Sequence, residues 1–521
     1  MLTESALFTQ IIPESLRAAR ARDQSEPQKN TEPQTEPKAQ SQQTPTANLA
    51  LFRAHSRELC TLLAKQGNDP TWYCQSFNPY PLAISAEHFQ TQKKLQSLLY
   101  KALTTIVENY FQDEHLQKWL DLPEPVFRAL SKLADKPFRL GSYRPDFLHT
   151  MDNSIVICEI NARFPANAYF ISHYLNNVIG TTEYLNHGRQ AGLARTDISG
   201  DALSESTFAA SAFDLSAFPE ISRTVELFTS VFADHKSINC LYKREKGWDR
   251  HFLEYELTAR GHVLVSPASH AALAEALLNG TARSSDWTES AGHSSADTDS
   301  TGTSGAGTSD FETGSGRKST KPSLALFLEL HQDELTDQGV LDFVCSNFDR
   351  LTCLNDPRTI FIVHDKRMLS ILCDREKLSA YMSDEEADFL SRHIVPTWTI
   401  KDSQDKVEEA LLKSDQFVLK PNLLGKGEGM LFGATTTTEQ FRSALQDERS
   451  SHFILQTFVP QKKHNIYLEI DRQLVQRPVN IVGTLLCFDD ELLGPGIYRA
   501  SPSDIVNVAG GGAILVPMLA T

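Results

Sequence analysis

The chain has no apolar run approaching the ~20 residues that a membrane-spanning helix needs, so no transmembrane anchor is expected. It also lacks an excess of basic charge: 50 Lys and Arg against 66 Asp and Glu leave a formal net charge of −16. That balance argues against nucleic acid or an anionic membrane as the main partner. It says little about a nucleotide, which needs only a local cluster of cations. Cysteine is sparse and unpatterned. Positions 60, 74, 158, 240, 345, 353, 373 and 487 form no CxxC or CxxH pair, and most lie in apolar runs such as IVICEI. They read as reduced, buried thiols, with neither a disulfide frame nor a zinc site expected. The opening residues lack a basic start followed by an apolar block, so no secretory leader and a cytoplasmic location are expected. No internal repeat is detectable.

What is present is a globular composition, with 40% hydrophobic and 22% charged residues over 521 positions. A chain of that length calls for two or three lobes. Residues 22–48 are almost all Gln, Pro, Glu, Thr, Ser and Lys, and 281–322 form a Ser/Thr/Gly/Asp tract; neither has much to bury. The expected division is a disordered segment over 1–48, a helical region ending in a β-hairpin over 49–236, and an α/β lobe over 237–400. That lobe carries the 281–322 insert as a surface loop, and a further lobe over 401–521 follows. Apolar spacing predicts helices over LALFRAHSRELCTLLAKQG and from Glu87 through Tyr110. FRLGSYRPDFLHT and IVICEINARF, separated by MDNS, read as a hairpin. INCLY, HVLVSP, LALFLEL and TIFIVHD read as strands alternating with helices at RHFLEYELTARG, SHAALAEALLNG and KRMLSILCD, which predicts a small parallel lobe. After a helix at DKVEEALLK, the strands QFVLKP, GMLFG, HFILQTFV, VNIVGTLLCF and AILVPML predict an antiparallel sheet.

The strongest local signal is FVLKPNLLGKGEGMLFG, residues 417–433. A strand delivers Lys420, and a turn with Gly425, Gly427 and Gly429 follows before the next strand. Glycines let the backbone approach phosphate oxygens, and a lysine neutralises their charge. No Gly-Lys-Ser/Thr occurs and a strand follows the turn, which excludes the strand–loop–helix phosphate loop; a ligand-free glycine hairpin is the bland alternative. HFILQTFVP is either a plain core strand or a hinge that stacks a base on apolar side chains. Strand alternation puts Arg144 with Asp146, and Glu159 with Asn161, on one face. Two carboxylates and an amide oxygen make a hard oxygen site suited to magnesium bound with phosphates, or else a solvated ion-pair cluster. Glu159 in an otherwise apolar run would be costly without a cation. Lys366 falls where TIFIVHD meets the next helix, Arg499 follows a Gly-Pro-Gly turn, and Lys243, Arg244 and Lys246 read as a solvated basic loop.

Together these pieces resemble the ATP-grasp superfamily, and their order resembles its circularly permuted branch, which includes the synthetase half of glutathionylspermidine synthase. YRPDF…CEIN precedes DKRML, then VLKP…GKGEG, ILQTF and GIYRAS, over about 144–512. The resemblance implies an α+β, α/β ATP-grasp-like fold, with antiparallel sheets, helices and the small parallel lobe. It implies ATP and Mg2+ as cofactors. Asp146, Glu159 and Asn161 would hold the metal, while Lys366 and Lys420 contact the phosphates under Gly425, Lys426, Gly427 and Gly429. Gln456, Phe458 and Val459 would form the adenine hinge. Arg499, helped by Arg144, would stabilise charge on the transferring phosphoryl group. The implied activity is carboxylate–amine ligation on small molecules through an acyl phosphate. A phosphotransferase and a non-catalytic nucleotide-binding protein are the alternatives. No amidase-like Cys/His domain is matched, and ARFPANAYF after the Glu-x-Asn departs from the family, so no substrate is carried over.

Overall fold

The computed structural model of the chain describes residues 8–12, 47–65, 74–179, 181, 194–195, 215–216, 218–244, 249–267, 272–273, 275, 323–337, 339–425, 427–506, 508 and 512–520. The expected hairpin is present: Ser142–His149 pairs antiparallel with Ile155–Asn161. Its turn is closed by Thr150, whose backbone N–H donates to Ser154 at 3.1 Å, with Asn153 at φ 69°. The register sets Asp146 opposite Glu159 and Arg144 opposite Asn161, then shifts after Asp146, where Phe147 pairs with Ile157 and leaves Cys158 as the extra residue of a bulge.

The hairpin is one edge of a seven-stranded antiparallel sheet. The 16-residue strand Gln473–Phe488 runs beside Ser142–His149, and Tyr498–Ser501 and Ala513–Leu515 continue the sheet on the far side. Helix Ala86–Asn109 covers this sheet. It starts at Ser85, whose hydroxyl accepts from the His88 N–H at 3.2 Å, and it buries Leu95, Leu98, Leu99, Ala102, Leu103, Ile106 and Val107 at helical spacing. Two polar side chains of the same helix aim the strands. Gln92 donates to the Tyr498 hydroxyl at 3.1 Å and Gln96 to that of Tyr143 at 3.2 Å, each beside an arginine singled out above.

A second, four-stranded antiparallel sheet runs in the order Thr397–Thr399, Phe453–Thr457, Phe417–Pro421, Leu431–Phe432. It has its own small core around Leu419, Phe441 and Leu455. The parallel lobe is also present, with strands Leu351–Cys353, Leu324–Glu329, Ser237–Tyr242 and Val263–Val265 all parallel. Asp249, which is 1% exposed, ties the segment after this lobe's central strand to helix Tyr169–Ile179 by accepting the Ile171 N–H at 3.1 Å.

Four expectations are corrected. The segment 1–48 is not uniformly disordered, because Phe8–Ile12 forms a strand that pairs with Leu82–Ser85; its FTQII pattern is apolar enough to join a sheet that also takes in Pro517–Ala520. TIFIVHD is not a strand. Thr359–Val363 is a single π-helical turn, closed by His364 N–H donating to the Thr359 carbonyl at 3.2 Å, with all five residues buried. A short apolar run has no periodicity by which a buried helix differs from a buried strand. The strands predicted after residue 401 divide among three sheets, and three further strands were not foreseen, His464–Ile470, Glu491–Pro495 and Tyr498–Ser501. Finally, Cys60 and Cys74 are joined in a disulfide, whereas the six other thiols are free. The 281–322 tract, most of SHAALAEALLNG, Lys246 and Lys426 lie outside the described residues.

Candidate active-site cleft

The two antiparallel sheets face one another across a cleft of about 770 Å³, counting the water at its mouth. Asp146, Cys158 and Glu159 of the hairpin line one side; Lys420, Gly427, Gln456, Phe458 and Val459 line the other; Arg499 and the turn Asp504–Val506 close the end. Most of the residues singled out from sequence therefore share one space. Lys366, Asn161, Arg144, Gly425 and Gly429 do not line it. Lys366 reaches its edge, pairing with Glu159 at 3.0 Å and donating to the Leu424 carbonyl. Asn161 donates to Asp146 at 3.1 Å. Arg144 lies two residue pairs further along the hairpin, nearer Asp249 and Tyr169.

Asp146 is held from three directions. Thr484, opposite it on the long strand, donates to Oδ1 at 2.7 Å, Arg499 pairs with Oδ2 at 2.8 Å, and Asn161 adds its amide. Thr484 was missed by sequence reasoning, although it is the one hydroxyl within the apolar run VNIVGTLLCF. Burial opposes the charge on Arg499, but Asp146 beside it keeps the guanidinium firmly protonated. Burial pushes the Glu159 carboxyl up, yet Lys366 and Lys420 outweigh it and hold the group at about 2, so it is ionised at any working pH. The Cys158 thiol is pushed up to about 11, first by burial, and is no nucleophile there.

The glycine turn follows Lys420 as expected. Gly427 and Gly429 have φ of 77° and 69°, and a Cβ on Gly429 would come within 3.0 Å of the Pro421 ring, so this tight return needs glycine. Gly425 instead faces the guanidinium of Arg163, 3.8 Å from where its Cβ would be. Arg163, in the ARF that follows Glu-Ile-Asn, donates to the Leu423 carbonyl at 3.4 Å and was not foreseen. The Gln456 amide donates to Thr397 at 2.9 Å and, across the cleft, to the Cys158 carbonyl at 3.4 Å. The hairpin bulge presents that carbonyl. Gln456 thus links the two sheets, and its N–H groups are already engaged; the Phe458 N–H is likewise taken, by the Gln416 carbonyl at 2.8 Å.

Two carboxylates and an amide oxygen, all hard donors, with Glu159 ionised, suit a divalent cation accompanying phosphates. Both Asp146 oxygens already have donors, so a cation there would share Asp146 with Thr484 and Arg499. Among the described residues no group of three His, Cys, Asp or Glu could hold a metal by itself. The fit is therefore to a cation that arrives with other oxygen ligands. No helix among the described residues is long and apolar enough to cross a membrane.

The facing antiparallel sheets, the parallel lobe and the covering helices make an α+β protein. The chain belongs to the AnkG family, whose N-terminal domain profile matches residues 95–362. A relative from Aspergillus thermomutatus, named ATP-grasp enzyme ankG, is 23% identical over 470 residues, covering 84% of this chain and 87% of its own length. The solved structure of a glutathione synthetase-like effector from Globodera pallida aligns with a TM-score of 0.48 and 11% identity, over 92% of this chain and 100% of that one.

Proposed function

We propose that the chain is an ATP-dependent ligase of the circularly permuted ATP-grasp kind, joining the carboxylate of one small molecule to the amine of another. The observation that carries this reading is the single cleft shared by Asp146, Glu159, Lys420 and Arg499. Its lining suits a nucleoside triphosphate, with the base toward Phe458 and Val459 and the phosphates toward Lys420, Lys366 and the glycine turn. Asp146, Glu159 and Asn161 would hold magnesium, which supplies charge neutralisation to the phosphates when bound. Gln456 serves the base side by fixing the wall, its amide being engaged with Thr397 and Cys158. The substrate carboxylate attacks the γ-phosphorus, and ADP leaves. The amine then displaces phosphate from the acyl phosphate to form the amide. Arg499 offsets charge that grows on the transferring group, a preorganised electrostatic role. Arg144, outside the cleft, faces the side from which the acceptor would approach. The motif order resembles that of the synthetase half of glutathionylspermidine synthase, and glutathione and spermidine are not proposed as substrates.

The test is release of ADP and phosphate from ATP in the presence of pooled amino acids, small carboxylic acids and polyamines. A carboxylate- and amine-dependent rise, with a condensed product by mass, is expected. ADP formation without an amine and with a stable phosphorylated product would replace the ligase with a phosphotransferase. Absence of nucleotide binding by calorimetry would overturn both.

A further inference from the structure

A second groove, of about 2000 Å³ with the water at its open side, lies behind the strand that carries Arg499. Ala500 and Ser501 form part of its wall, and the Cys60–Cys74 disulfide lies in another part. Four arginines, 53, 57, 472 and 477, line it against two carboxylates, Glu469 and Asp471. Arg53 is spent on Glu469, with Nε 3.1 Å from either carboxylate oxygen. Arg57, Arg472 and Arg477 have no carboxylate partner among the described residues. Arg53, Arg57 and Cys60 follow one another at helical spacing on Ala47–Lys65, so the guanidinium groups and the sulfur share a face.

The disulfide stands apart from the other cysteines. Cys158, Cys240, Cys345 and Cys487 are buried, and burial pushes the thiols of Cys158, Cys240, Cys345, Cys353, Cys373 and Cys487 up, which keeps them protonated and inert. The Cys60–Cys74 pair, by contrast, lines an open groove together with cations. We propose that this groove is a thiol–disulfide exchange site whose arginines admit a small anionic thiol. The thiolate attacks one sulfur, the S–S bond breaks, and the other cysteine leaves as a thiolate among guanidinium groups, surroundings that favour exchange. A second thiolate resolves the mixed disulfide. The two small thiols are oxidised to their own disulfide, the protein bond takes up the two electrons, and the two thiol protons end on Cys60 and Cys74. The site also adjoins the cleft: the Asn78 N–H donates to the Ile514 carbonyl at 2.8 Å, and Ile514 is the cross-strand partner of Arg499.

The experiment exposes the oxidised full chain to mercaptoethanesulfonate, mercaptoethanol or cysteamine, which differ mainly in the charge of one end. Rates are compared per thiolate, by alkylation and peptide mass at Cys60 and Cys74. A chain of net charge −16 should on the whole repel the anion and attract the cation, so a preference for the anion can come only from the groove. The sulfonate is expected to react on the order of tenfold faster than cysteamine at low salt. The preference should vanish at about 1 M salt and in the surface double variant Arg57→Gln, Arg477→Gln, and persist in Arg57→Lys. Equal rates, a faster cation, or alkylation of both cysteines before any reductant is added would each overturn the proposal.

Discussion

Lys366 is buried and the Glu159 side chain, 3.0 Å from it, is 20% exposed, so removing Glu159 leaves the lysine charge stranded. Glu159→Ala should abolish turnover and also destabilise the fold by roughly 3–5 kcal/mol. Glu159→Gln, which keeps a polar partner for Lys366, should abolish turnover at a much smaller cost in stability. Urea unfolding alongside ADP release separates the two outcomes, and near-normal turnover in the Gln variant would remove Glu159 from the site. Lys420→Ala should weaken ATP binding by at least about tenfold, as loss of a charged phosphate contact implies, and calorimetric titration measures it.

Asp249 makes a different prediction at the same scale. Burial pushes its carboxyl up to about 7 despite the backbone N–H groups of Ile171, Phe170 and Ala168. A folded value above the ordinary carboxylate range means that the native state keeps a proton the unfolded chain has released. The stability this group contributes is complete below that ordinary range and is lost as pH climbs to about 7. Asp249→Asn keeps an acceptor for the helix start and cannot ionise. The wild type should therefore lose on the order of 2–4 kcal/mol more than the variant between about pH 4 and about pH 8; parallel slopes would contradict the assignment.

Among the elements, the long strand lies in close pairing beside the hairpin strand Ser142–His149. A Cβ on Gly483 would lie 2.1 Å from the Phe147 ring, and Gly483 and Phe147 are cross-strand partners. Gly483→Ala should cost on the order of 3 kcal/mol or more, read as a lowered urea midpoint with the transition still cooperative. The hairpin was legible in the sequence because strand alternation and an Asp-Asn turn are both local signals. The bulge at Cys158 was not, because it arises from pairing between strands. The π-turn Thr359–Val363 was missed for a related reason. Its identity depends on what surrounds it, above all Arg358, which is buried beside it and donates to the carbonyls of Leu133, Lys136 and Pro137. Lys366, Lys420 and Arg499 were legible as motif residues, whereas Thr484 and Arg163 take their partners from distant strands and turns. Cys60 and Cys74 were read as ordinary thiols because no spacing rule pairs cysteines across a segment of unknown path.

At the scale of the whole molecule, the four-stranded sheet is fastened at two places: at the start of the glycine turn, where Lys366 and Arg163 hold the carbonyls of Asn422, Leu423 and Leu424, and along the side next to the hairpin. Ile157 of the hairpin exchanges backbone hydrogen bonds with His393 and Val395, at 2.7 and 2.9 Å, Gln456 adds its amide to Cys158, and Lys462 donates to the His149 carbonyl at 3.0 Å. All of these lie toward the strand Thr397–Thr399 or just past Phe453–Thr457. The opposite edge, Leu431–Phe432, pairs only with Phe417–Pro421. Amide exchange should accordingly be slower at Ile157 and Val395 than at Leu431 and Phe432, and a nucleotide should slow the latter pair most. A sheet held at these places and unpaired at its far edge moves most at Leu431–Phe432, and Phe432 lines the cleft, so the cleft wall yields there first.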